Sequence, residues 1–417
     1  MGSYKWEVVL WLWLAFFLKQ ADRQVYNVVL PLIRDDLHLT DAQMGLIASV
    51  FMWTLGGLVP LAGYLADVVS KKWIVAVSLF VWSSATMFTG LSTAPIHLLF
   101  FRGFCTGGGE AFHGPAANTL LAEYHHKTRA LAMSIHQTSL YVGVICSGFL
   151  AGYVGQTWGW RAAFYVFGVL GVVLAGFVAF RLKDVPSPFV SAALQGKRRE
   201  RPSPLAALSV LVRTPTALLL TVAFSSMIFV NIGYLTWMPT FLVEKFGLSL
   251  AHAGFSSMFY HHVFAFIGVL VGGRLSDRWA QGHPKARMQI QLVGLLVAAP
   301  FIYLTGAGRS MAVTYVGLAG FGLFRGFYDS SIFAALYEVV EPKYRALASG
   351  MMVMFAFLTG AFASCILGFI KPTLGLSTGI SSLAGVYIVG AAAVFIGLKF
   401  FFARDYYDEK GGVKQTT

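Results

Sequence analysis

Apolar stretches of about 20 residues recur along this chain, from Trp6 to Phe402, and a helix that crosses the hydrocarbon core of a bilayer needs about that length. The composition agrees, because 57% of the residues are hydrophobic and only 12% are charged. A soluble domain carries about 25% charged residues. The sequence therefore predicts an all-α membrane protein.

Membrane spans are predicted from the apolar runs, from the Gly and Pro breaks and from the charged loops between them. The twelve predicted spans cover residues 6–33, 43–66, 73–92, 95–124, 128–157, 161–182, 215–243, 250–276, 286–306, 311–339, 343–372 and 378–403. We expect two six-helix bundles with a linker between them and a tail after them. The predicted domains are the N-terminal bundle at 1–183, the cytoplasmic linker at 184–213, the C-terminal bundle at 214–404 and the cytoplasmic tail at 405–417.

The net charge of +13 is concentrated in the loops on one predicted side of the membrane, including a basic run at 197–201 in the linker. Cytoplasmic loops carry an excess of Lys and Arg. This asymmetry predicts an inner-membrane protein with both termini in the cytoplasm, and it explains the basic charge without nucleic-acid binding. The three cysteines all lie in apolar spans, where a free thiol behaves as a small hydrophobe. We therefore expect no disulfide, no metal site and no cofactor.

The two halves of the chain repeat each other at three places, in the same order. The segment 63–67 (GYLAD) matches 273–277 (GRLSD), and 127–132 (KTRALA) matches 343–348 (KYRALA). The tripeptide RGF occurs at Arg102 and again at Arg325. Because each half has an even number of spans, the repeats have the same orientation in the membrane. They predict bundles related by a pseudo-twofold axis along the membrane normal.

The segment 63–72 (GYLADVVSKK) resembles the signature loop of the major facilitator superfamily, Gly-x-Leu-x-Asp-Arg-x-Gly-Arg-Lys, although Val68 and Ser70 replace its Arg and Gly. The first half also resembles the anion:cation symporters of that superfamily, which carry sugar acids and similar organic anions with protons. That resemblance is carried by Asp22-Arg23, Arg102, Gly109-Glu110-Ala111, Pro115-Ala-Ala-Asn118, Ala122-Glu123, Arg129-Ala-Leu-Ala and 158–164. The Spinster lipid transporters share the Asp-Arg and Arg…Gly-Glu-Ala patterns. The resemblance implies the major facilitator fold and transport by alternating access.

Ionisable side chains within the predicted spans are the strongest functional signal, because each costs several kcal/mol in a membrane unless it is paired or faces a cavity. They are Lys19, Asp22, Arg23, Arg102, Glu110, Arg325 and Asp329. Two interpretations are open for the first-half residues. They form either internal ion pairs that lock the bundle or a site for an anion and protons.

Guanidinium groups are forked, permanently charged donors that suit a carboxylate or phosphate. Arg23 and Arg102 are therefore predicted to bind the substrate anion. In the second half, Arg325 and Asp329 are four residues apart and are predicted to pair with each other. Weaker candidates for substrate binding in that half are Asn231, Tyr234, Trp237, Arg325 and Tyr328.

Burial favours the neutral form of a carboxyl group and a nearby arginine favours the ionised form. Asp22 and Glu110 are therefore predicted to couple protons to transport, with His113 as a relay on the helical face of Glu110. The adjacent His261 and His262 point about 100° apart on a helix, and a packed histidine with a backbone partner is expected there. Residues near the cytoplasmic helix ends that are predicted to form the gate are Asp67, Arg129, Asp277 and Arg345.

The spacing of Arg102 and Glu110 departs from both resembled families. There the Arg and Glu of the fourth span are seven apart, whereas here they are eight apart. On a regular helix, a spacing of eight residues places Glu110 about 80° from Arg102 around the helix axis. A π-bulge would correct the register, and the triplet Gly107, Gly108 and Gly109 is its predicted place.

These features favour a proton-coupled symporter of a small organic anion, such as a sugar acid or another carboxylate. The expected partners are the anion, protons and the lipid bilayer, with no nucleic acid, and we expect a monomer. A Spinster-like lysophospholipid or sphingolipid transporter and an organic phosphate antiporter are the alternatives. No nucleophile motif, Cys pair or His-x-x-x-His cluster supports an enzyme.

Overall fold

The computed structural model describes residues 4–125, 128–184, 204–408 and 412–413, and nearly all of them are helical. In the first half the elements are α1 (Tyr4–Leu37), α2 (Asp41–Val68), α3 (Lys71–Thr89), α4 (Pro95–Leu98), a π-helix (Leu99–Thr106), α5 (Gly107–Tyr124), α6 (Arg129–Trp158) and α7 (Trp160–Arg181). The π-helix joins α4 to α5, so that the three together form the fourth predicted span.

The second half repeats this plan after a short helix in the linker. Its elements are α8 (Pro204–Arg213), α9 (Pro215–Phe246), α10 (Leu250–Ala280), α11 (Ala286–Ala307), α12 (Met311–Asp329), α13 (Ile332–Tyr337), a 3-10 helix (Pro342–Tyr344), α14 (Arg345–Gly360), α15 (Phe362–Ile396), a π-helix (Gly397–Phe401), α16 (Phe402–Asp405) and the antiparallel strands β1 (Tyr407–Asp408) and β2 (Gly412–Val413). The basic run at 197–201 lies outside the described residues.

The helices coincide with the predicted spans, with two differences in continuity. The tenth span is divided into α12 and α13, and α15 contains the end of the eleventh span and most of the twelfth. Within α15 the chain turns at Gly375, whose φ of 72° and ψ of 160° suit a residue without a Cβ atom. The predicted boundary between these spans, 373–377, contains that turn.

Eight helical stretches of the described chain are long and apolar enough to cross a membrane, and one of them, 347–405, contains more than one predicted span. The helix α1 is not among them. Its 34 residues include Lys19, Asp22 and Arg23 near the middle, and these charges lower the hydropathy of every long window. The helix α1 thus departs from an ordinary apolar span at three residues of the predicted site.

Side-chain caps fix where several helices begin. Thr40 precedes α2 and forms a capping box, in which its Oγ1 accepts from the Gln43 backbone N–H at 3.2 Å and the Gln43 Oε1 accepts from the Thr40 backbone N–H at 2.9 Å. Ser70 accepts from the Trp73 backbone N–H at 3.4 Å and begins α3 in the same way. Such caps contribute about 1 kcal/mol each because they satisfy otherwise unpaired N–H groups.

The chain divides into two compact units. The first contains residues up to 200 together with 235–258, and the second contains 201–234 and the residues from 259 onwards. In the first unit α1 packs on α6, α3 on α7, and α5 on both α2 and α3. In the second unit α11 packs on both α12 and α15. Each unit is thus built from long helices in direct contact.

Equivalent ion pairs tie helix ends together in the two units. In the first, Lys71 Nζ at the start of α3 lies 3.4 Å from Glu123 Oε1 in α5. In the second, Arg287 Nη1 in α11 lies 2.6 Å from Glu338 Oε1, in the loop after α13. These pairs extend the internal repeat to Lys71 and Arg287, which carry the same charge on different residue types.

Glu338 makes the stability of the second unit depend on pH. Burial raises the pKa of Glu338 from 4.5 to about 7, against the opposing effect of Arg287. An acid with a raised pKa binds its proton more tightly in the folded state, so stability falls as pH rises from about 5 to about 8. We expect Tm of the wild type, relative to the Glu338→Gln variant, to decrease by about 2 °C over this range.

Thermal melting of the detergent-purified protein at several pH values measures this difference. The Glu341→Gln variant, on the same loop, controls for the removal of one negative charge. A difference between wild type and Glu338→Gln that stays constant from pH 5 to pH 8 would contradict the prediction.

Candidate functional site

Five charged residues meet inside the first unit, and we call them the charged cluster: Lys19, Asp22, Arg23, Arg102 and Glu110. The first three lie on α1, the fourth on the π-helix and the last on α5. Asp22 and Glu110 have no exposed surface, Arg102 is 3% exposed and Lys19 is 7% exposed. Arg23 is the most accessible member, with 17% of its side chain exposed. The structure thus brings together the residues that were predicted to act together.

Direct contacts within the cluster join α1 to the fourth span. Arg23 Nε donates to Glu110 Oε2 at 2.6 Å, which is an ion pair. Lys19 Nζ donates to the backbone oxygen of Glu110 at 2.9 Å. Arg102 Nη2 donates to the backbone oxygen of Arg23 at 3.2 Å. Among the described residues, Glu110 Oε1 and the Nε and Nη1 atoms of Arg102 have no hydrogen-bond partner.

Asp22 points towards α3 instead of towards Arg23, its neighbour in sequence. Thr86 Oγ1 donates to Asp22 Oδ2 at 3.4 Å. The two acids of the cluster are therefore held by different partners, Asp22 by a neutral hydroxyl and Glu110 by a guanidinium. The structure thus gives the two carboxyl groups different surroundings, whereas the sequence predicted the same role for both.

An aromatic ring lies beside the two arginines. The centroid of Phe51, on α2, is 4.3 Å from Arg102 Cζ and 5.5 Å from Arg23 Cζ. Tyr26 lies 5.5 Å from Arg102 Cζ, and its hydroxyl donates to the backbone oxygen of Met44 at 2.9 Å. Cation–π contacts contribute about 2 kcal/mol when they are desolvated. No sequence pattern singles out Phe51, because a phenylalanine in an apolar span is ordinary.

The eight-residue spacing of Arg102 and Glu110 is explained by the π-helix Leu99–Thr106. A π-helix takes one more residue per turn than an α-helix, so eight residues here rotate about as far as seven in a regular helix. Both residues accordingly reach Arg23. The predicted irregularity exists, but it lies before the glycine triplet and not within it.

The glycines instead allow close approach between helices. A Cβ atom on Gly107 would lie 2.6 Å from the backbone oxygen of Phe51, and one on Gly109 would lie 2.9 Å from the backbone nitrogen of Trp82. A Cβ atom on Gly108 would have no neighbour nearer than 3.7 Å. Two of the three glycines thus hold α5 against the backbones of α2 and α3.

This contrast gives a matched pair of variants. We expect Gly107→Ala to destabilise the protein by about 1 to 3 kcal/mol, because α2 must move to admit the methyl group. We expect Gly108→Ala to stabilise it by up to about 1 kcal/mol, because alanine favours helix. Melting temperatures of the two purified variants measure the difference. Equal melting temperatures would show that α5 does not need the close contact at Phe51.

His113 lies one turn beyond Glu110 on α5 and is fully buried. Its ring packs edge-on against Trp82 at 5.2 Å and stacks on Phe16 at 6.5 Å, and neither ring nitrogen has a hydrogen-bond partner among the described residues. A second buried imidazole, His136 on α6, stacks on Phe16 at 4.8 Å. Sequence reasoning named His113 and missed His136, because the sequence around His136 gives no sign of which helix it packs against.

The second unit holds its own polar group around Arg325. Arg325 Nη1 donates to Asn231 Oδ1 at 2.7 Å and contacts His261 Nε2 at 2.9 Å. Arg325 Nε lies 3.3 Å from Asp329 Oδ2, so the predicted pairing of these two residues is confirmed. The expectation of a backbone partner for the packed histidine is wrong for His261, because its ring contacts the guanidinium of Arg325 instead. His262 contacts His261 edge to face, with the rings 83° apart.

The aromatic residues predicted to bind substrate are all buried. Tyr234 and Tyr328 belong to the second unit and are 2% and 1% exposed, and Trp237 belongs to the first unit and is 0% exposed. Tyr234 packs on His261 with a centroid distance of 4.7 Å. Their contact with a substrate stays a prediction.

Of the predicted gating residues, the side chain of Asp67 lies outside the described part of the structure. Asp277 Oδ1 lies 3.8 Å from Arg287 Nη2. Arg129 donates to the backbone oxygen of Ala122 and Arg345 to that of Val340, each at 3.1 Å. Each arginine thus donates to a backbone oxygen that precedes it in the chain, and the gating role itself stays a prediction. Across the described ranges, no three His, Cys, Asp or Glu side chains come together in a metal-binding group.

Comparison with known proteins gives close agreement in fold. A family model for the Major Facilitator Superfamily matches residues 12–364. The chain is 26% identical over 400 residues to the hexuronate transporter of Bacillus subtilis (strain 168), covering 94% of each protein. It is 27% identical over 434 residues to protein spinster homolog 1 of Xenopus tropicalis, covering 97% of this chain and 81% of that protein.

Among solved structures, a bacterial homolog of the human lysosomal transporter Spinster, crystallised in an inward-facing, unoccupied conformation, matches with a TM-score of 0.81 and 21% identity, over 98% of this chain and 100% of that one. The predicted all-α major facilitator fold is therefore confirmed, as is the resemblance to sugar-acid transporters and Spinster proteins. The family match extends over most of the chain, and its members are transporters and not enzymes. This chain belongs to the Major Facilitator Superfamily and is a multi-pass membrane protein that transports small solutes.

Proposed function

We propose that this protein is a proton-coupled symporter of a small organic anion, a sugar acid or a related carboxylate, that works by alternating access in the inner membrane with both termini in the cytoplasm. The observation that carries the proposal is the buried charged cluster. Three bases and two acids in one membrane-embedded group leave a formal charge of +1 when all are ionised. One carboxylate balances that charge.

The arginines supply the groups that bind the anion. The Nε and Nη1 atoms of Arg102 have no partner among the described residues, and Arg23 is the most accessible member of the cluster. A guanidinium fork donates two parallel hydrogen bonds to a carboxylate, which gives both affinity and orientation. Phe51 holds the two forks beside one ring. In this arrangement a carboxylate binds between Arg23 and Arg102.

Competition for Arg23 couples the anion to a proton. Arg23 is the ionic partner of Glu110, and a substrate carboxylate that takes this partner leaves Glu110 buried and unpaired. A buried carboxyl group without a counter-charge binds a proton. When the anion leaves, Arg23 returns to Glu110 and the proton is released. Asp22, which accepts from the Thr86 hydroxyl, is the second proton site, and His113 is the relay.

The remaining proposed substrate contacts come from Asn231, Tyr234, Arg325 and Tyr328 in the second unit and from Trp237 in the first. Arg325 is fixed by Asn231 and Asp329, and the hydroxyls of Tyr234 and Tyr328 and the indole of Trp237 suit the hydroxyl groups of a sugar acid. Asp67, Arg129, Asp277 and Arg345 close the cytoplasmic end of the transport path. The hexuronate transporter of Bacillus subtilis, at 26% identity, supports a sugar acid as the cargo.

Uptake by proteoliposomes tests the proposal. Radiolabelled glucuronate, a hexuronate, is supplied outside vesicles that contain the purified protein, with a pH gradient that is acidic outside. We expect accumulation that collapses when a protonophore removes the gradient. Parallel assays offer lysophosphatidylethanolamine or sugar phosphate instead. Transport of the lysolipid without glucuronate uptake would favour a Spinster-like function, and phosphate exchange without proton dependence would favour an antiporter.

A further inference from the structure

Lys19, His113 and His136 are buried basic side chains that lie close together in the first unit. They are 7%, 0% and 4% exposed. Lys19 is the charged neighbour of both imidazoles. Both ring nitrogens of His113 and the Nε2 atom of His136 have no hydrogen-bond partner among the described residues. Free imidazole nitrogens inside a membrane protein are costly, and they are retained where they have a function.

The two imidazoles lie between the charged cluster, to which Lys19 belongs, and one end of the unit. Tyr4 and Tyr124 contact each other with ring centroids 5.6 Å apart, so α1 begins where α5 ends and α6 begins. At about 1.5 Å per residue, Glu110 lies about 21 Å and His113 about 16 Å from the end of α5, and His136 lies about 10 Å from the start of α6. Measured along the helix axes, the imidazoles thus divide the distance into steps of about 5, 6 and 10 Å.

Aromatic rings pack against both imidazoles. Phe16 stacks on His136 at 4.8 Å with an interplanar angle of 6°, and it also packs on His113 at 6.5 Å. Trp82 covers the other side of His113. The charged neighbour of both imidazoles is Lys19 on α1, and α3 contributes the Trp82 indole. The imidazole nitrogens therefore lie among aromatic rings.

We infer that His113 and His136 form the path by which protons travel between Glu110 and the cytoplasmic end of the first unit, with His136 as the outer step. The inference rests on the proposed function and adds a residue to it. In each step an N–H or O–H bond breaks on the donor and a new one forms on the acceptor, so one proton moves and no electrons are transferred. One water molecule with two hydrogen bonds of about 2.8 Å spans each of the two shorter steps, and a file of two or three water molecules spans the last step of about 10 Å.

A structural role for His136 predicts a different outcome from a proton path. Phenylalanine at position 136 keeps the flat ring that stacks on Phe16 and removes both nitrogens. Under a packing role, His136→Phe behaves as the wild type. Under the proton path, it slows proton transfer while the protein stays folded.

Proton uptake by Glu110 provides an assay that needs no substrate. Purified full-length protein is subjected to a rapid drop in pH, and infrared spectroscopy follows the carbonyl band of protonated carboxyl groups. The part of the band that is lost in Glu110→Gln belongs to Glu110. We expect this part to appear about 100-fold more slowly in His136→Phe, with unchanged final amplitude. His97→Gln, which alters an exposed histidine at the other end of the unit, is the matched control and keeps the wild-type rate.

Chemical rescue separates proton transfer from cavity filling. In His136→Ala, we expect added imidazole to restore the rate and added thiazole, which has a similar shape but is a far weaker base, to have no effect. A wild-type rate in His136→Phe, or equal rescue by both heterocycles, would overturn the path. If Glu110→Gln loses no part of the band, Glu110 is not the proton carrier, and the proposed coupling fails independently of His136.

Discussion

Replacement of Glu110 with glutamine is expected to abolish proton-driven accumulation of glucuronate and to preserve exchange. A pH difference of one unit supplies about 1.4 kcal/mol per proton, so a carrier that couples one proton to one anion accumulates its substrate about tenfold. Glutamine cannot carry a proton, yet its amide oxygen still accepts from Arg23 Nε, where the carboxylate now lies at 2.6 Å. The variant should therefore equilibrate glucuronate to a ratio of about 1 without losing the shape of the site.

Two assays on the same proteoliposomes measure this effect. Net uptake under an imposed pH gradient reports coupling, and counterflow of labelled against unlabelled glucuronate at equal pH reports binding and reorientation. Glu244→Gln is the control, because Glu244 pairs with Arg34 at 2.7 Å near the end of α9 and is not a member of the charged cluster. Equal loss of uptake and counterflow in Glu110→Gln would count against a coupling role and for a structural one.

Replacement of Arg102 with lysine is expected to weaken glucuronate binding about 100-fold, or by about 3 kcal/mol, although the charge is retained. The guanidinium has three tasks here that an ammonium cannot perform together. It donates to the backbone oxygen of Arg23 at 3.2 Å, it faces Phe51 at 4.3 Å, and it keeps two nitrogens for a ligand. Lysine has no planar face for the ring and no fork for a carboxylate.

Binding of glucuronate to the purified variant, measured by calorimetry, gives Kd directly. Arg309→Lys, at an exposed position, controls for the substitution itself, and the melting temperature shows whether the variant is folded. An unchanged Kd in a folded Arg102→Lys variant would mean that the arginine serves to hold α1 and not to bind the anion. The ion-pair interpretation of the cluster would then be the correct one.

Most of the fold, and the identity of the charged cluster, could be predicted from the sequence because both depend on energies that are large in a membrane. Apolar runs long enough to cross a bilayer seldom form anything other than membrane-spanning helices. Charged side chains such as Asp22 or Arg102 inside those runs cost too much free energy to be incidental. The internal repeats at 63–67 and 273–277 then set the architecture. These signals are carried by single residues or short segments, so no knowledge of packing was required.

The remaining features of the site depend on packing, which one sequence does not encode in an obvious way. Phe51 and His136 became part of the site only because α2 and α6 turn those faces inwards. The spacing of Arg102 and Glu110 showed that the helix must contain an extra residue, but glycines suggested the wrong place for it. Gly107 is required by its contact with the Phe51 backbone, and the widened turn lies one turn earlier.

The π-helix separates two quantities that a regular helix links, the number of residues between two side chains and the angle between them. Its surplus residue can therefore be removed without turning Arg102 away from Glu110. Phe104 is 51% exposed and lies within the widened turn, so a relative that lacks it would hold the same pair of charges on an ordinary α-helix. Alignments of this family that place the gap at the glycine triplet would then pair the wrong residues. A gap opened between Arg102 and Thr106 keeps the glycines, and the helices they contact, in register.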